Sequence, residues 1–316
     1  MPISLRGKAV VSALKIISRM NPDLTPHPIA RVERLSRRSK WHYTAKRTVT
    51  VTKEKTENGI PFVRLKLREP LRTGNKKLFY IHGGVFIADL HPFYINVAER
   101  IMRTVGCDEA VLPDYRTLPE HSYPTQLEDV KAVWNTVTSD IKPDSIVISG
   151  DSAGGNLALA LLLMLRDEKR EMPKGGAFFS PWLDMLCMGE SYLYNYDRDA
   201  MFGNKKIGTH EERRKRLIES EIFSYAKALT EEERSSPYVS PVYGDYRGMP
   251  PTFFAVGEDE LLRSDTETVV AKLKAQNTAT ECETGSGMFH IYALFPVLPE
   301  SRKAFQALKS FAEKYF

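Results

Sequence analysis

The fold of this chain is constrained most by a glycine-serine motif that stands between an apolar run and a helical pattern. The pentapeptide G-D-S-A-G occupies 150–154 and follows an apolar run that ends at Ile148. A serine placed between a strand and a helix in this way sits in strained backbone geometry, and the turn is sharp enough to require residues without side chains two positions before and two positions after it. Gly150 and Gly154 meet that requirement. The motif therefore predicts a strand-turn-helix unit that presents Ser152 as a nucleophile.

Short apolar runs recur along the chain and alternate with segments of helical period. The runs are Leu78 to Ile81, Ala110 to Leu112, Ser145 to Ile148, Ala177 to Phe179, and Thr252 to Val256. Such alternation is typical of a mostly parallel sheet with helices on both faces. Upstream, a period of two on either side of Asn58 and Gly59 predicts an antiparallel hairpin. We therefore expect an α/β fold built on one central sheet.

The alternation is interrupted at 184–236, where tyrosine, methionine and charged residues are concentrated. We interpret this stretch as an inserted helical lid, which divides the α/β core into a first part at 46–183 and a second part at 237–316. Residues 1–45 form a further region of N-terminal lid helices and a proline-rich linker at 21–28.

The N-terminal region is strongly basic. Residues 1–50 contain eleven Lys or Arg and two acidic residues, whereas the net charge of the whole chain is +5. Polar residues recur every three or four positions from Lys8 to Arg19, and apolar residues occupy the opposite side, which predicts an amphipathic helix. Two interpretations stay open: a lid or surface helix packed by its apolar side, and a basic helix that lies on a membrane surface.

A second glycine-rich turn follows the apolar run at 78–81, upstream of the serine. Attack of a serine on a carbonyl carbon places a negative charge on the former carbonyl oxygen, and preorganised backbone N–H groups stabilise that charge. Consecutive glycines let the backbone approach the reacting oxygen closely. The expected oxyanion donors are therefore the N–H groups of Gly83 and Gly84, joined by that of Ala153 behind the nucleophile.

A serine hydroxyl becomes a good nucleophile when a base takes its proton, and that base needs a partner that fixes its tautomer. His290 lies C-terminal to every other candidate, in the position that a serine, acid, histidine order requires. The acid is expected after the strand that ends at Val256. The residues there alone leave Glu258, Asp259 and Glu260 as alternatives, with Asp265 a turn further on.

Several motifs in a fixed order resemble the hormone-sensitive-lipase family of α/β-hydrolases, the bacterial family IV esterases. The matching segments, between 76 and 310, are H-G-G at 82–84, D-Y-R at 114–116, P-E-H-S-Y-P at 119–124, L-E-D at 127–129, G-D-S-A-G-G at 150–155, S-P-W-L-D at 180–184, G-E-D-E at 257–260 and G-M-F-H at 287–290. By this resemblance the acid is Asp259 and the base is His290, while His82 and Asp151 are structural members of their motifs, as are the two glycines that flank the serine. The family usually has a third glycine where this chain has Val85, which leaves the range of accepted alcohol groups open.

The resemblance implies a serine carboxylesterase that hydrolyses short-chain, acetyl-like esters through an acyl-enzyme. An amidase or deacetylase acting on acetylated amines is the first alternative, because the same triad cleaves both bonds. A non-catalytic small-molecule receptor on the same fold is the second, and the presence of His290 argues against it. The lid side chains that form either an acyl pocket or lid core are Met185, Met188, Tyr192, Tyr194, Tyr196, Met201 and Phe202.

Composition narrows the set of partners. The near balance of 45 basic and 40 acidic residues indicates no nucleic-acid role. The resemblance implies a small-molecule ester as the partner, and a homodimer stays open. Cys107, Cys187 and Cys282 lack paired spacing, which favours a reducing cytoplasm, and neither a signal peptide nor a membrane span is expected. The motifs typical of zinc proteases, P-loops and dinucleotide sites do not occur, so no cofactor and no metal are expected.

Overall fold

The architecture is a mixed sheet covered by helices. A computed structural model describes residues 3–20, 48–71, 75–203, 208–220 and 223–316. The strands in them are β1 (Val49–Lys55), β2 (Pro61–Leu67), β3 (Lys77–Ile81), β4 (Glu109–Pro113), β5 (Ile146–Asp151), β6 (Gly175–Phe179), β7 (Thr252–Gly257) and β8 (Thr280–Gly285). They form one sheet in the order β1-β2-β4-β3-β5-β6-β7-β8. The pairs β1/β2 and β2/β4 are antiparallel and all other neighbours are parallel, which confirms the expected mostly parallel α/β sheet.

Helices cover both faces of this sheet. In the described ranges they are α1 (Leu5–Met20), α2 (Pro92–Val105), α3 (Thr125–Thr138), α4 (Ser152–Asp167), α5 (Ser191–Tyr194), α6 (His210–Glu219), α7 (Ser224–Lys227), α8 (Glu231–Ser235), α9 (Arg263–Ala275) and α10 (Pro299–Tyr315).

The sheet separates two apolar layers, because successive side chains of a strand point to opposite faces. In β3, Phe79 and Ile81 face the layer that includes side chains of α3, α4 and α9. Leu78 and Tyr80 face the other layer, which includes side chains of α2 and α10. Because α4 is buried along nearly its whole length, the serine at its first position is buried as well.

The N-terminal helix packs on the protein by its apolar side. Ile3, Val10 and Leu14 contact the layer beneath α10. The N–H of Ser4 donates to the carboxylate of Glu300 at 2.6 Å, which fixes the start of the helix. This packing is what the surface-helix interpretation expects. Among the described residues, no helix is both long enough and apolar enough to cross a bilayer.

The segment that the sequence marks as an insertion, 184–236, connects β6 to β7 and contains α5 to α8 in its described part. Two of these short helices begin at a threonine whose hydroxyl accepts from the backbone three residues later, at Thr209 and Thr230. Such capping boxes satisfy N–H groups that a helix start leaves unpaired. The linker expected at 21–28 lies outside the described residues.

Four neighbouring parallel strands bring their carboxyl ends to one edge of the sheet. Ser152 follows β5, Ser180 follows β6, Glu260 follows β7 and His290 follows β8. In open α/β sheets this edge is where ligands bind. The topology therefore gathers residues that are far apart in sequence into one site.

Candidate active site

The serine occupies the turn that the sequence predicts. Ser152 has a φ of +51°, in the left-handed region that side-chain-bearing residues rarely adopt. A Cβ added at Gly150 would lie 2.4 Å from the carbonyl oxygen of Gly154, and one added at Gly154 would lie 2.1 Å from that of Ile81. Both distances are shorter than any real contact, so the two glycines are steric requirements of this turn.

His290 is the residue that meets the serine hydroxyl. Its Nε2 lies 3.0 Å from the Oγ of Ser152, although the two residues are 138 positions apart. Both are buried, with exposed fractions of 1% and 4%. Burial lowers the pKa of His290 to about 3, so the imidazole is neutral and able to accept a proton at neutral pH.

The carboxylate nearest the free ring nitrogen belongs to Glu260. Its Oε2 lies 4.0 Å from the Nδ1 of His290 and accepts hydrogen bonds from the Ser180 hydroxyl at 2.7 Å and from the N–H of Gly257 at 3.1 Å. Within the described part of the chain, Nδ1 of His290 and Oε1 of Glu260 are both buried without a hydrogen-bond partner. Burial raises the pKa of Glu260 well above its usual range. The two unpaired atoms are complementary, and catalytic hydrogen bonds are often long before substrate binds.

Asp259, the acid that the resemblance implied, points elsewhere. Its carboxylate forms an ion pair with Arg198, whose side chain is half exposed. Its N–H donates to the carbonyl of Met288 at 3.0 Å, which links the turn to the loop that carries His290. The side chain of Asp259 points away from that loop. The expectation is therefore corrected: consecutive side chains in a turn project differently, and it is Glu260 that faces His290. The buried pair Leu261 and Leu262 was the sequence signal for the inward side of this turn.

The glycine loop after β3 also requires a correction. The N–H of Gly83 donates to Oδ1 of Asp151 at 3.0 Å, so it is not free for a substrate oxygen. In the residues that the structure describes, the N–H groups of Gly84, Val85 and Ala153 have no hydrogen-bond acceptor. For Ala153 this follows from its place in the first turn of α4. The loop therefore offers donors one residue further along than the sequence suggested.

His82 and Asp151 support this loop from below. The imidazole of His82 stacks on Tyr115 with ring centroids 4.3 Å apart, and the hydroxyl of Tyr115 donates to the His82 carbonyl at 2.8 Å. Asp151 accepts from the hydroxyl of Tyr80 at 2.5 Å in addition to Gly83. Burial lowers the pKa of His82 to about 4 and raises that of Asp151 to about 7. The Nδ1 of His82 lies 2.8 Å from the carbonyl oxygen of Gly83, so both side chains contact the backbone of this loop. Their structural roles stay a prediction from the motifs.

The inserted segment contacts the site from above. The ring of Phe202 lies 4.5 Å from that of His290, between centroids. On the glycine loop, Phe86 stacks on Tyr225 of α7 at 3.8 Å. Of the other methionine and aromatic residues of the segment, Met185, Tyr192 and Tyr196 are buried, and Met188 and Tyr194 are exposed. Among the described residues, no group of histidine, cysteine and acidic side chains has the arrangement of a metal site.

Comparison with known proteins gives consistent matches. The model of an alpha/beta hydrolase fold family matches residues 78–294. An esterase of Acinetobacter venetianus is 31% identical over 239 residues, 74% of either chain, and an acetyl-hydrolase of Streptomyces hygroscopicus is 28% identical over 244 residues, 77% of either chain. A crystal structure of an esterase from the bacterial hormone-sensitive lipase family superposes with a TM-score of 0.78 at 24% identity, covering 100% of this chain and 99% of the other.

Proposed function

Since this chain belongs to the alpha/beta hydrolase fold family and is a carboxylic ester hydrolase that resembles the hormone-sensitive-lipase esterases, we propose that it cleaves short-chain, acetyl-like esters through an acyl-enzyme on Ser152. The observation that carries this proposal is the 3.0 Å separation between Nε2 of His290 and Oγ of Ser152. That distance lies within the range for direct proton transfer.

In the first half-reaction, Oγ of Ser152 bonds to the ester carbonyl carbon while its proton passes to Nε2 of His290. The electron pair of the carbonyl double bond moves onto oxygen, where the N–H groups of Gly84, Val85 and Ala153 are the proposed donors. When the double bond reforms, the bond to the alcohol oxygen breaks. His290 gives its proton to that oxygen, and the alcohol leaves.

In the second half-reaction, water replaces the alcohol. His290 accepts a proton from water while the water oxygen bonds to the acyl carbon. The bond between Oγ of Ser152 and the acyl carbon then breaks, the proton passes from His290 to Oγ, and the carboxylic acid leaves. The imidazolium is present in both transition states. Glu260 is the proposed acid because its carboxylate is the one that faces Nδ1, and a negative charge there stabilises the cation.

Two observations support small acyl groups. The serine is 4% exposed and lies beneath a segment whose Phe202 covers the histidine. The Streptomyces relative is named an acetyl-hydrolase.

The test compares p-nitrophenyl esters from acetyl to hexanoyl, with a matched anilide to measure amide cleavage. Ser152→Ala is expected to abolish turnover and labelling by a fluorophosphonate, detected as a mass increase of the intact protein. Ser149→Ala is the matched control: it also removes a buried serine hydroxyl, but that hydroxyl donates to the carbonyl of Ala177 in the neighbouring strand. An undiminished rate in Ser152→Ala would refute the assignment of Ser152 as the nucleophile. Activity that rises with acyl length and jumps at an oil-water interface would refute the assignment of short esters as substrates.

A further inference from the structure

A buried carboxylate of the inserted segment is bonded to the turn that carries the proposed acid. Asp199 is 3% exposed, and its Oδ2 accepts from the N–H of Leu261 at 2.9 Å. Leu261 directly follows Glu260, so this bond fixes the peptide on one side of the acid. The other oxygen, Oδ1, accepts from the N–H groups of Met201 at 2.8 Å and Phe202 at 3.2 Å.

A second side chain of the same segment holds the turn from its carbonyl side. The amide nitrogen of Asn195, also 3% exposed, donates to the carbonyl of Glu258 at 3.0 Å and to that of Glu260 at 2.9 Å. Asn195 and Asp199 together bind both donor and acceptor groups of the backbone at 258–261. We call these two residues the clamp.

The clamp also acts on the histidine side of the site. Since Oδ1 of Asp199 accepts from the N–H of Phe202, it fixes the backbone of the residue whose ring lies against His290. The carboxylate of Asp199 is therefore hydrogen-bonded both to the backbone next to Glu260 and to the backbone of Phe202, whose ring covers His290.

The side chain of Glu260 has little else to orient it. It is held by the Ser180 hydroxyl and the N–H of Gly257 through Oε2 alone, and Oε1 has no partner in the described residues. Its direction depends on the backbone that the clamp holds. Without Asp199, the buried N–H of Leu261 would lack an acceptor, and a turn in that state relaxes toward another partner.

We propose that Asp199, assisted by Asn195, is a positioning residue that acts through Glu260 and thereby makes the inserted segment part of the catalytic apparatus. This inference rests on the proposed triad. A displacement of about 1 Å in a group that acts on the reacting atoms costs on the order of 100-fold in rate. If Asp199 merely helped the inserted segment to fold, its removal would lower the stability of the protein and leave the rate of the folded enzyme unchanged.

The test is a double-mutant cycle on p-nitrophenyl acetate. Asp199→Ala is expected to lower kcat by about 10- to 100-fold while KM changes by less than about threefold, because the loss is of transition-state stabilisation. In a Glu260→Gln background the same substitution is expected to change kcat by less than about threefold, since residues that act as a unit are not additive. Asn195→Leu, which removes the amide donor, is measured in parallel and serves alone where Asp199→Ala does not fold.

The matched control is Asp184→Ala. Asp184 is a buried aspartate of the same segment whose carboxylate accepts from the N–H groups of Leu186 and Met188, without a hydrogen bond to the turn at 258–261 among the described residues. It is expected to lower the melting temperature and keep kcat within about threefold of the parent.

The outcomes separate the two proposals. A fall in kcat for Asp184→Ala equal to that for Asp199→Ala, or an equal factor for Asp199→Ala in both backgrounds, would overturn the positioning role. Near-parental activity of Glu260→Gln would instead refute the assignment of Glu260 as the acid, and the positioning role of the clamp would be refuted with it.

Discussion

Replacing the two neighbouring carboxylates, one at a time, distinguishes the proposed acid, Glu260, from Asp259, which the motif implied. Glu260→Gln keeps the size of the side chain and removes its charge. At 4.0 Å, a carboxylate and an imidazolium in a medium of effective dielectric constant about 20 attract by about 4 kcal/mol. Since each ~1.4 kcal/mol is a factor of ten in rate, kcat is expected to fall by about 1000-fold.

Asp259→Asn removes an ion pair with Arg198, whose side chain is half exposed. Such pairs contribute about 0–1 kcal/mol. The expected change in kcat is therefore less than about threefold, because no reacting atom loses a partner.

Both variants are assayed for kcat and KM on p-nitrophenyl acetate, with thermal melting followed by circular dichroism to establish that each is folded. The assignment predicts a large fall for Glu260→Gln and a small one for Asp259→Asn. The reverse order would refute it and restore Asp259 as the acid.

Three further perturbations test the site and its surroundings. Gly154→Ala places a Cβ 2.1 Å from the backbone carbonyl of Ile81, so we expect destabilisation of at least about 2 kcal/mol and loss of turnover; an unchanged melting temperature would contradict this steric reading. Because burial lowers the pKa of His290 to about 3 and protonation inactivates a general base, kcat/KM of Glu260→Gln, which lacks the buried carboxyl facing the imidazole, should stay level as pH falls and decline only below 6.5, the ordinary histidine value; a decline centred above that value would count against it. Burial raises the pKa of Cys107 and Cys282 to about 12, so iodoacetamide at pH 8 should leave the rate and the intact mass unchanged, and rapid alkylation would show that these thiols are accessible.

The sheet could be predicted because its signals are local. Apolar runs such as Leu78 to Ile81 coincide with fully or largely buried strands, and the position of Ser152 follows from two glycines whose absence of side chains has a direct steric reason. The order of serine and histidine along the chain predicted that His290 lies near Ser152, and their side chains are 3.0 Å apart because parallel strands align their carboxyl ends. The role of His290 as the base stays a prediction.

The direction of side chains and N–H groups within turns could not be predicted, since it depends on contacts with distant parts of the chain. The N–H of Gly83 is hydrogen-bonded to the carboxylate of Asp151, which lies 68 positions away in sequence. Asp259 and Glu260 are adjacent in sequence and of the same charge, and only the fold decides which of them is buried. Asp199 was missed for a similar reason: in a polar, charged stretch a single aspartate is indistinguishable from a solvent-facing one.

The hydrogen bonds from Asn195 and Asp199 to the turn at 258–261 have a consequence for protein engineering. Segments between β6 and β7 are attractive units to exchange between related esterases when a new substrate range is wanted. In this chain such a graft would also remove hydrogen bonds to two backbone carbonyls and one backbone N–H group of this turn. A chimaera therefore needs an acceptor and a donor at equivalent places in the incoming segment, in addition to a cavity of the desired shape.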